Sequence, residues 1–218
     1  MTKTGEAATP RLELNDDESV IEALQRHQRP IVIGAILVAL VVGGGWMMSR
    51  SAQIRESRAA QALAAGESAF AAGNVPLAQG EFQKVVSRYL GTAAGTQAAL
   101  MSAQLSFEAG QLDSGMASLD AALRKAPAHL RAGVLAHQGA GHALAGRSAE
   151  SAEAYERASA ASKFPQEKDQ YLMEAARQHV AAGNISAART IYTSLADRED
   201  SAHSTEAKLR LGELTLKS

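Results

Sequence analysis

Four glycines divide the chain into units of nearly equal length: Gly73, Gly110, Gly146 and Gly183 lie 37, 36 and 37 positions apart. Each closes an alanine-rich run of helical character (ALAAGESAFAAG, LMSAQLSFEAG, HQGAGHALAG and LMEAARQHVAAG), and each is followed by turn-like residues and a second helical run. Two of these turns, at residues 71–74 and 181–184, use the same four letters, AAGN. A fixed period of this length marks a repeat architecture, because one helical hairpin cannot bury its apolar face alone and must stack on others.

The register inside each unit supports that reading. Seven positions before the turn glycine stands a small residue (Gly66, Ala103, Gly139, Ala176), and nine after it a large one (Phe82, Leu119, Tyr155, Tyr192). Five after it the residue is again small: Ala78, Gly115, Ser151 and Ala188. Glycine in a left-handed conformation ends the first helix without steric strain. Small residues then let the paired helices approach closely, and the large residue is expected to fill the gap to the next unit. Composition agrees: aromatics are only 4% against 46% hydrophobic residues, much of it alanine, which suits helix-on-helix packing rather than sheets. The expected fold is all-α: one transmembrane helix, then an α-solenoid of four hairpins over about residues 56–199. A terminal helix at 204–217 would set Ala207, Leu211 and Leu214 against the last hairpin. An ordinary helical bundle is the competing arrangement, and the equal spacing of four turns argues against it.

Period and positions together resemble the tetratricopeptide repeat, whose units are about 34 residues long. Pro127, 17 residues after Gly110, matches the proline that closes such a unit; the other three units lack it, and all the periods here are longer. The resemblance implies an inner groove lined by the first helix of each hairpin. Its expected members are Leu63, Glu67 and Phe70, then Gln97, Leu100, Gln104 and Phe107, and finally Gln170, Met173 and Arg177. The third unit offers only small residues, Gly133, Ala136 and Ala140. A mixed polar and apolar groove suits a peptide or helix, although any one of these side chains is as readily explained by packing within its own repeat. The Lys/Asn clamp with which some such domains hold a chaperone's C-terminal carboxylate is missing.

Ahead of the repeats runs PIVIGAILVALVVGGGWMM. Ile31 to Met48 carry no charge, and at ~1.5 Å per residue the uncharged stretch spans roughly the 30 Å of a bilayer core. Pro30 suits a first helical turn, and Trp46 the far interface. A buried core helix and a cleaved signal peptide are alternatives. Against cleavage stand the 29 residues before Pro30, the long apolar core and the absence of a small-x-small site after it. The expected organisation is a short N-terminal segment at 1–29, a signal anchor at 30–48 and a repeat domain at 49–218. Arginines flank the span on both sides (Arg26 and Arg29; Arg50, Arg55 and Arg58), so charge alone leaves its orientation open. Ala35, Ala39 and Gly43 form a small-residue ridge suited to packing on another membrane helix. No proline or glycine lies between Trp46 and Leu63, so one helix is expected to continue from the span into the first repeat. In the N-terminal segment, Asn15 and Glu18 have capping-box spacing ahead of an apolar stripe at Val20, Ile21 and Leu24.

No catalytic constellation is present. There is no cysteine, which removes disulfides, thiolate nucleophiles and Cys-ligated zinc together. His137 and His142 are five apart with no acid between them, unlike H-E-x-x-H. The glycine-rich stretches are neither a phosphate-binding loop nor a dinucleotide fingerprint, and no G-x-S-x-G occurs. A net charge of −1 argues against nucleic acid as a partner. The expectation is a protein-binding module, not an enzyme, with no cofactor or metal.

The whole order, an acidic N-terminal run with ESVIEALQRHQRP, one span ending in GGWMM, then SAQIRESRAAQAL leading into repeats, is similar to the YfgM-type ancillary subunits of the bacterial Sec translocon. The local marks are Glu18 to Leu24 and the Gly45–Trp46 pair. Gln25 to Gln28 stand where that family often has an aromatic pair, and Met47 where an arginine commonly follows the tryptophan. The resemblance implies an inner-membrane protein with a cytoplasmic N-terminus and a periplasmic repeat domain. It also implies association with the translocon and with periplasmic chaperones that meet emerging chains. A scaffold for envelope assembly or cell division, without translocon contact, is the alternative.

Overall fold

In a computed structural model of the protein, residues 28–198 and 200–216 are described. The expected capping box at Asn15 and Glu18 and its apolar stripe lie outside them. The described residues fall into two compact units that divide after Ala52. Among the described residues nine α-helices follow one another: α1 Gln28–Ala71, α2 Val75–Tyr89, α3 Ala93–Glu108, α4 Leu112–Lys125, α5 Arg131–Leu144, α6 Ser148–Ala161, α7 Pro165–Ala181, α8 Ile185–Ala196 and α9 Ser204–Leu216. A 3₁₀ turn at Ala128–Leu130, entered from Pro127, precedes α5. The described residues contain no strand.

The four repeat turns are built alike. Gly73, Gly110, Gly146 and Gly183 have φ between 70° and 79°. Each glycine N–H bonds to the carbonyl three residues back at 2.9–3.0 Å, and the following N–H to the carbonyl five back at 2.8–2.9 Å. These paired bonds satisfy carbonyls that a helix end otherwise leaves open. The repeated AAGN now has a local cause. Its asparagine caps the next helix, Asn74 Oδ1 accepting from Leu77 N at 3.2 Å and Asn184 Oδ1 from Ala187 N at 3.4 Å. Gln111 and Arg147, at the same place in the second and third units, make no such side-chain cap. Glycine thus ends one helix and asparagine starts the next, giving the chain two stop-and-start signals in adjacent letters.

Packing within a hairpin turns on the small and large positions, but not as expected. The large residue of the second helix closes on the small residue of its own first helix. A methyl placed on Gly66 would meet the Phe82 ring at 2.5 Å, and one on Gly139 the Tyr155 ring at 2.8 Å. Phe82, Leu119 and Tyr192 are buried, as are Ala103 and Ala176 opposite them in register. The gap between units is filled instead by side chains such as Phe107, which reaches against Gly115 of α4 and Gly141 of α5.

Between units the helices meet mainly their neighbours in the chain, with α3 also touching α5. A polar contact bridges successive hairpins at each junction. Gln79 Nε2 donates to Ser102 and Ser106 of α3 at 3.1 and 3.2 Å. Gln138 of α5 donates to Asp120 of α4 at 2.6 Å, and His179 of α7 lies 2.9 Å from Glu156 of α6. Such pairs add little net stability, yet a slipped register would leave them unsatisfied. A further clasp comes from Glu56 on α1, whose two carboxylate oxygens accept from Ala93 N and Ala94 N at 2.8 Å each. It places negative charge on the first turn of α3, where both the free N–H groups and the helix dipole favour it. On the last hairpin, Ala207 and Leu214 of α9 are buried and Leu211 packs beside them.

Within α1, Leu37, Val38, Leu40, Val41, Val42, Trp46, Met47 and Met48 are all exposed. Ala39 and Gly43 of the expected packing ridge are exposed too; the side chain of Ala35 lies outside the described set. Arg50 sits over the Trp46 ring at 5.9 Å. Counted over the described residues, no helix is long and apolar enough to cross a membrane. The apolar run of the sequence also includes residues 31, 32 and 34–36, whose side chains are not among those described.

Candidate functional site

The expected groove runs along the first helices, α1, α3, α5 and α7. The expected groove residues separate there into two groups. Glu67, Phe70, Gln97, Gln104 and Gln170 are exposed, with Phe70 at 40% a large apolar ring open to solvent. Gln97 Nε2 donates to Glu67 Oε1 at 3.0 Å, joining the first two hairpins across α1 and α3. Gln104 Nε2 donates to Glu108 Oε1 at 2.8 Å along α3.

Apart from Phe70, the apolar members go the other way. Leu63, Phe107 and Met173 are buried in the core, and Leu100 is half-buried against it. Leu63, Phe107 and Met173 present almost no surface to a partner, contrary to the expectation for these positions, while Leu100 stays partly exposed. The reason is geometric: a first helix packs on its own partner and on the following unit, so its apolar stripe turns inward on two sides. The third hairpin presents Gly133, Ala136 and Ala140, all half-buried, as a shallow stretch between more polar neighbours.

Arg177 belongs to an ion-pair chain. It contacts Glu174 on its own helix and Glu206 of α9 at 2.7 Å, and Arg210 reaches Glu213 at 3.0 Å and Glu206 at 3.6 Å. The hydrogen bond from Arg177 holds the Glu206 carboxyl below its ordinary range, chiefly through that bond and against partial burial. These groups border a cavity of about 260 Å³ over Tyr192, Val180 and Leu214. Because both arginines there are already paired, the arrangement reads as a clasp between α7 and α9; exposed pairs of this kind contribute about 0–1 kcal/mol each.

Among the described residues, no three His, Asp or Glu side chains cluster as metal ligands. His142, on the last turn of α5, has a buried Nδ1 without a hydrogen-bond partner. Burial first, and then the charge of Arg147, push its pKa down; Glu150 and Asp120 oppose this more weakly. The unfolded chain therefore takes up this proton more readily than the folded one, and stability rises with pH across the window. His142 should withdraw stability as pH falls below about 6.5, until the folded form also protonates. Thermal unfolding of wild type and His142→Gln at pH 7.5 and 5.5 measures this. The variant should lose less melting temperature on acidification than wild type, and equal losses would show that His142 plays no part.

A comparison with protein families now adds to the geometry. The model of the tetratricopeptide repeat-like domain matches residues 24–156, more than half of the chain. The chain belongs to the tetratricopeptide repeat-like domain family. The match starts at Leu24, ahead of the apolar stretch, and ends within α6 of the third hairpin. The fourth hairpin, outside the match, carries the same glycine turn and the same asparagine cap as the first. No curated protein matches the chain. Tetratricopeptide repeat-like domains act as protein–protein interaction scaffolds, with extended surfaces made by repetition of one hairpin.

Sequence reasoning did not find Glu56, which organises the start of α3, nor three arginines at positions 124, 131 and 157 that the fold gathers around one cavity. Both sets are scattered along the chain, and no spacing rule joins residues from different repeats.

Proposed function

We propose that the protein is a membrane-anchored interaction scaffold and not an enzyme. In this reading residues 30–48 form a single span, and the repeat domain offers Glu67, Phe70, Gln97, Gln104 and Gln170 to protein segments. The observation that carries the anchor is the exposure of eight apolar side chains between Leu37 and Met48. At 100° per residue, positions 37, 38, 40, 41, 42, 46, 47 and 48 point to every side of the helix. An amphipathic helix lying in a protein groove keeps a polar face, and this stretch has none. Lipid accommodates such a surface without leaving backbone groups unpaired. Trp46 beneath Arg50 suits the interface at one end of the span, an indole at headgroup level with a cation beside it.

The finer reading is an accessory subunit of the bacterial Sec translocon in the inner membrane, with its repeat domain in the periplasm near chaperones that meet emerging chains. It is supported by the marks at Glu18 to Leu24 and Gly45–Trp46 and by the order of anchor and repeats. The absence of native cysteine makes topology simple to test. Cysteine placed at Thr2 or at Ser114 is challenged in intact spheroplasts with a membrane-impermeant maleimide. Labelling at Ser114→Cys but not at Thr2→Cys is expected, and the reverse pattern would refute the orientation. Purification of the full chain in mild detergent then identifies the partners. Translocon subunits and chaperones that disappear when residues 56–218 are deleted support the secretion reading. Wall-synthesis or division proteins in their place would transfer the scaffold to envelope assembly.

A further inference from the structure

The end of α4, the start of α5 and the end of α6 line an open hollow of about 490 Å³. Its walls carry Arg124, Arg131 and Arg157, all exposed, and its floor is apolar: Leu123, Leu135 and Ala161. None of the three arginines has an ion pair within 4 Å or a side-chain hydrogen bond among the described residues, whereas Arg177 and Arg210 of the terminal clasp are both paired. The one carboxylate at the cavity, Asp120, is held by the neutral amide of Gln138 at 2.6 Å. Three guanidinium groups therefore face one carboxylate that already has a partner.

This arrangement has a cost to the folded protein by itself. Like charges gathered around one concave site repel each other, and field lines concentrate there. Arg131 is also the first residue of α5, where the positive end of the helix dipole disfavours a cation. A bound anion would relieve both effects. Guanidinium groups are suited to that task, because their planar fork binds a carboxylate through two parallel hydrogen bonds.

We infer that this cavity is a docking site for an acidic peptide segment of a partner protein, one carrying an apolar residue between its carboxylates. The carboxylates pair with Arg124, Arg131 and Arg157, and the apolar side chain rests on Leu123, Leu135 and Ala161. The apolar floor favours a peptide, in which a single aliphatic side chain can stand between two carboxylates. Nucleic acid would also require a long basic track, and the chain's net charge is −1. The inference rests on the reading of the repeats as a protein-binding scaffold, and it uses residues separate from the Glu67, Gln97 and Gln104 surface.

The test uses the full chain in neutral detergent micelles and a fluorescein-labelled Glu-Leu-Glu-Glu-Leu-Glu peptide, with its Gln counterpart as control. Fluorescence anisotropy should show saturable binding of the Glu peptide that weakens several-fold between 50 and 300 mM salt, as expected when screening shortens to below about 10 Å. The Arg124→Gln/Arg131→Gln/Arg157→Gln variant should bind at least tenfold more weakly. The Lys triple variant, which keeps charge but not the fork, should fall between, and Arg189→Gln on exposed α8 should bind as wild type does. Circular dichroism melts check that each variant folds. Equal binding of Glu and Gln peptides, or unchanged affinity in the triple Gln variant, would overturn the proposal. So would arginine-dependent capture of vesicles containing phosphatidylglycerol without peptide binding, which would assign the cluster to a lipid headgroup. The variant Gln97→Ala/Gln104→Ala should keep full Glu-peptide affinity, so failure of the scaffold surface and failure of this cavity are told apart.

Discussion

Phe82→Ala is expected to destabilise the repeat domain by about 3–5 kcal/mol, the cost of emptying a fully buried aromatic site. The ring is completely buried against the first helix of its own hairpin, within a core that also holds Leu63, Val85 and Ala98. It packs against Gly66, the small residue seven positions before the first turn. Little can collapse into the space it leaves, because the opposing wall is helix backbone, which cannot extend a side chain to fill it. The converse change tests the same contact from the other side. Alanine normally stabilises a helix relative to glycine by about 1 kcal/mol. Gly66→Ala should nevertheless destabilise by about 1–3 kcal/mol, since its methyl would sit 2.5 Å from Phe82 Cε1. Shortening the ring gives the methyl room, so Gly66→Ala/Phe82→Leu should be more stable than the sum of the two single changes predicts. A coupling of about 0.5–3 kcal/mol is expected for residues in direct contact. Urea unfolding of the four proteins gives the cycle, and additivity within error would remove the proposed contact.

Gly95→Ala should be the most damaging substitution among the glycines of the described repeat helices. A methyl there would fall on the Tyr89 carbonyl, closer than real Cβ contacts come. That carbonyl is already in use: it accepts from Thr92 N and from Thr92 Oγ1, each at 2.9 Å. Thr92 Oγ1 in turn accepts from Gly95 N at 2.9 Å and caps α3. Backbone cannot step aside as a flexible side chain can. The methyl must therefore push α2 and α3 apart, opening the Thr92 turn and disturbing the Glu56 clasp on Ala93 and Ala94. The expected loss is about 2–4 kcal/mol, combining overpacking with loss of a cap. Gly133→Ala on α5 is the matched control. Nothing lies within 4 Å of its added methyl, so helix propensity decides and stability should rise by up to about 1 kcal/mol. Melting temperatures of the two variants should move in opposite directions, by roughly 2–4 °C per kcal/mol for a domain of this size. A neutral or stabilising Gly95→Ala would mean that the α2–α3 turn yields where its hydrogen bonds suggest that it cannot.

The two glycine classes show how far the letters alone can be read. Gly73, Gly110, Gly146 and Gly183 were legible because their role is local: a helix end needs a left-handed residue, and the need recurs with the repeat. Gly95 and Gly133 cannot be told apart in the sequence, since both stand inside helical runs and only the neighbours across space separate them. The same division applies to the surface expected from the first helices. Gln97 and Gln104, expected to line an inner groove, are exposed on α3. Leu63, Phe107 and Met173, expected beside them, are buried, because a helix in a stack buries more than one side, and the second contact belongs to the following unit. The large residues of the second helices were recognised as core, but their partner was not. Whether Phe82 closes on its own hairpin or on the next depends on interhelical distance, which no pattern of letters contains.

By itself the sequence determined the period, the turns, the helical class, the apolar stretch at 31–48 and the lack of a catalytic motif. Each of these follows from residues near one another in the chain or from a count over it. The tertiary structure alone decided which side chains remain open to a partner. It also decided that Glu56 caps a helix 37 residues away, and that three arginines from three helices, unpaired among the described residues, surround one open hollow. These depend on distances between segments, and helix stacking sets those distances through the sizes of side chains meeting across repeats.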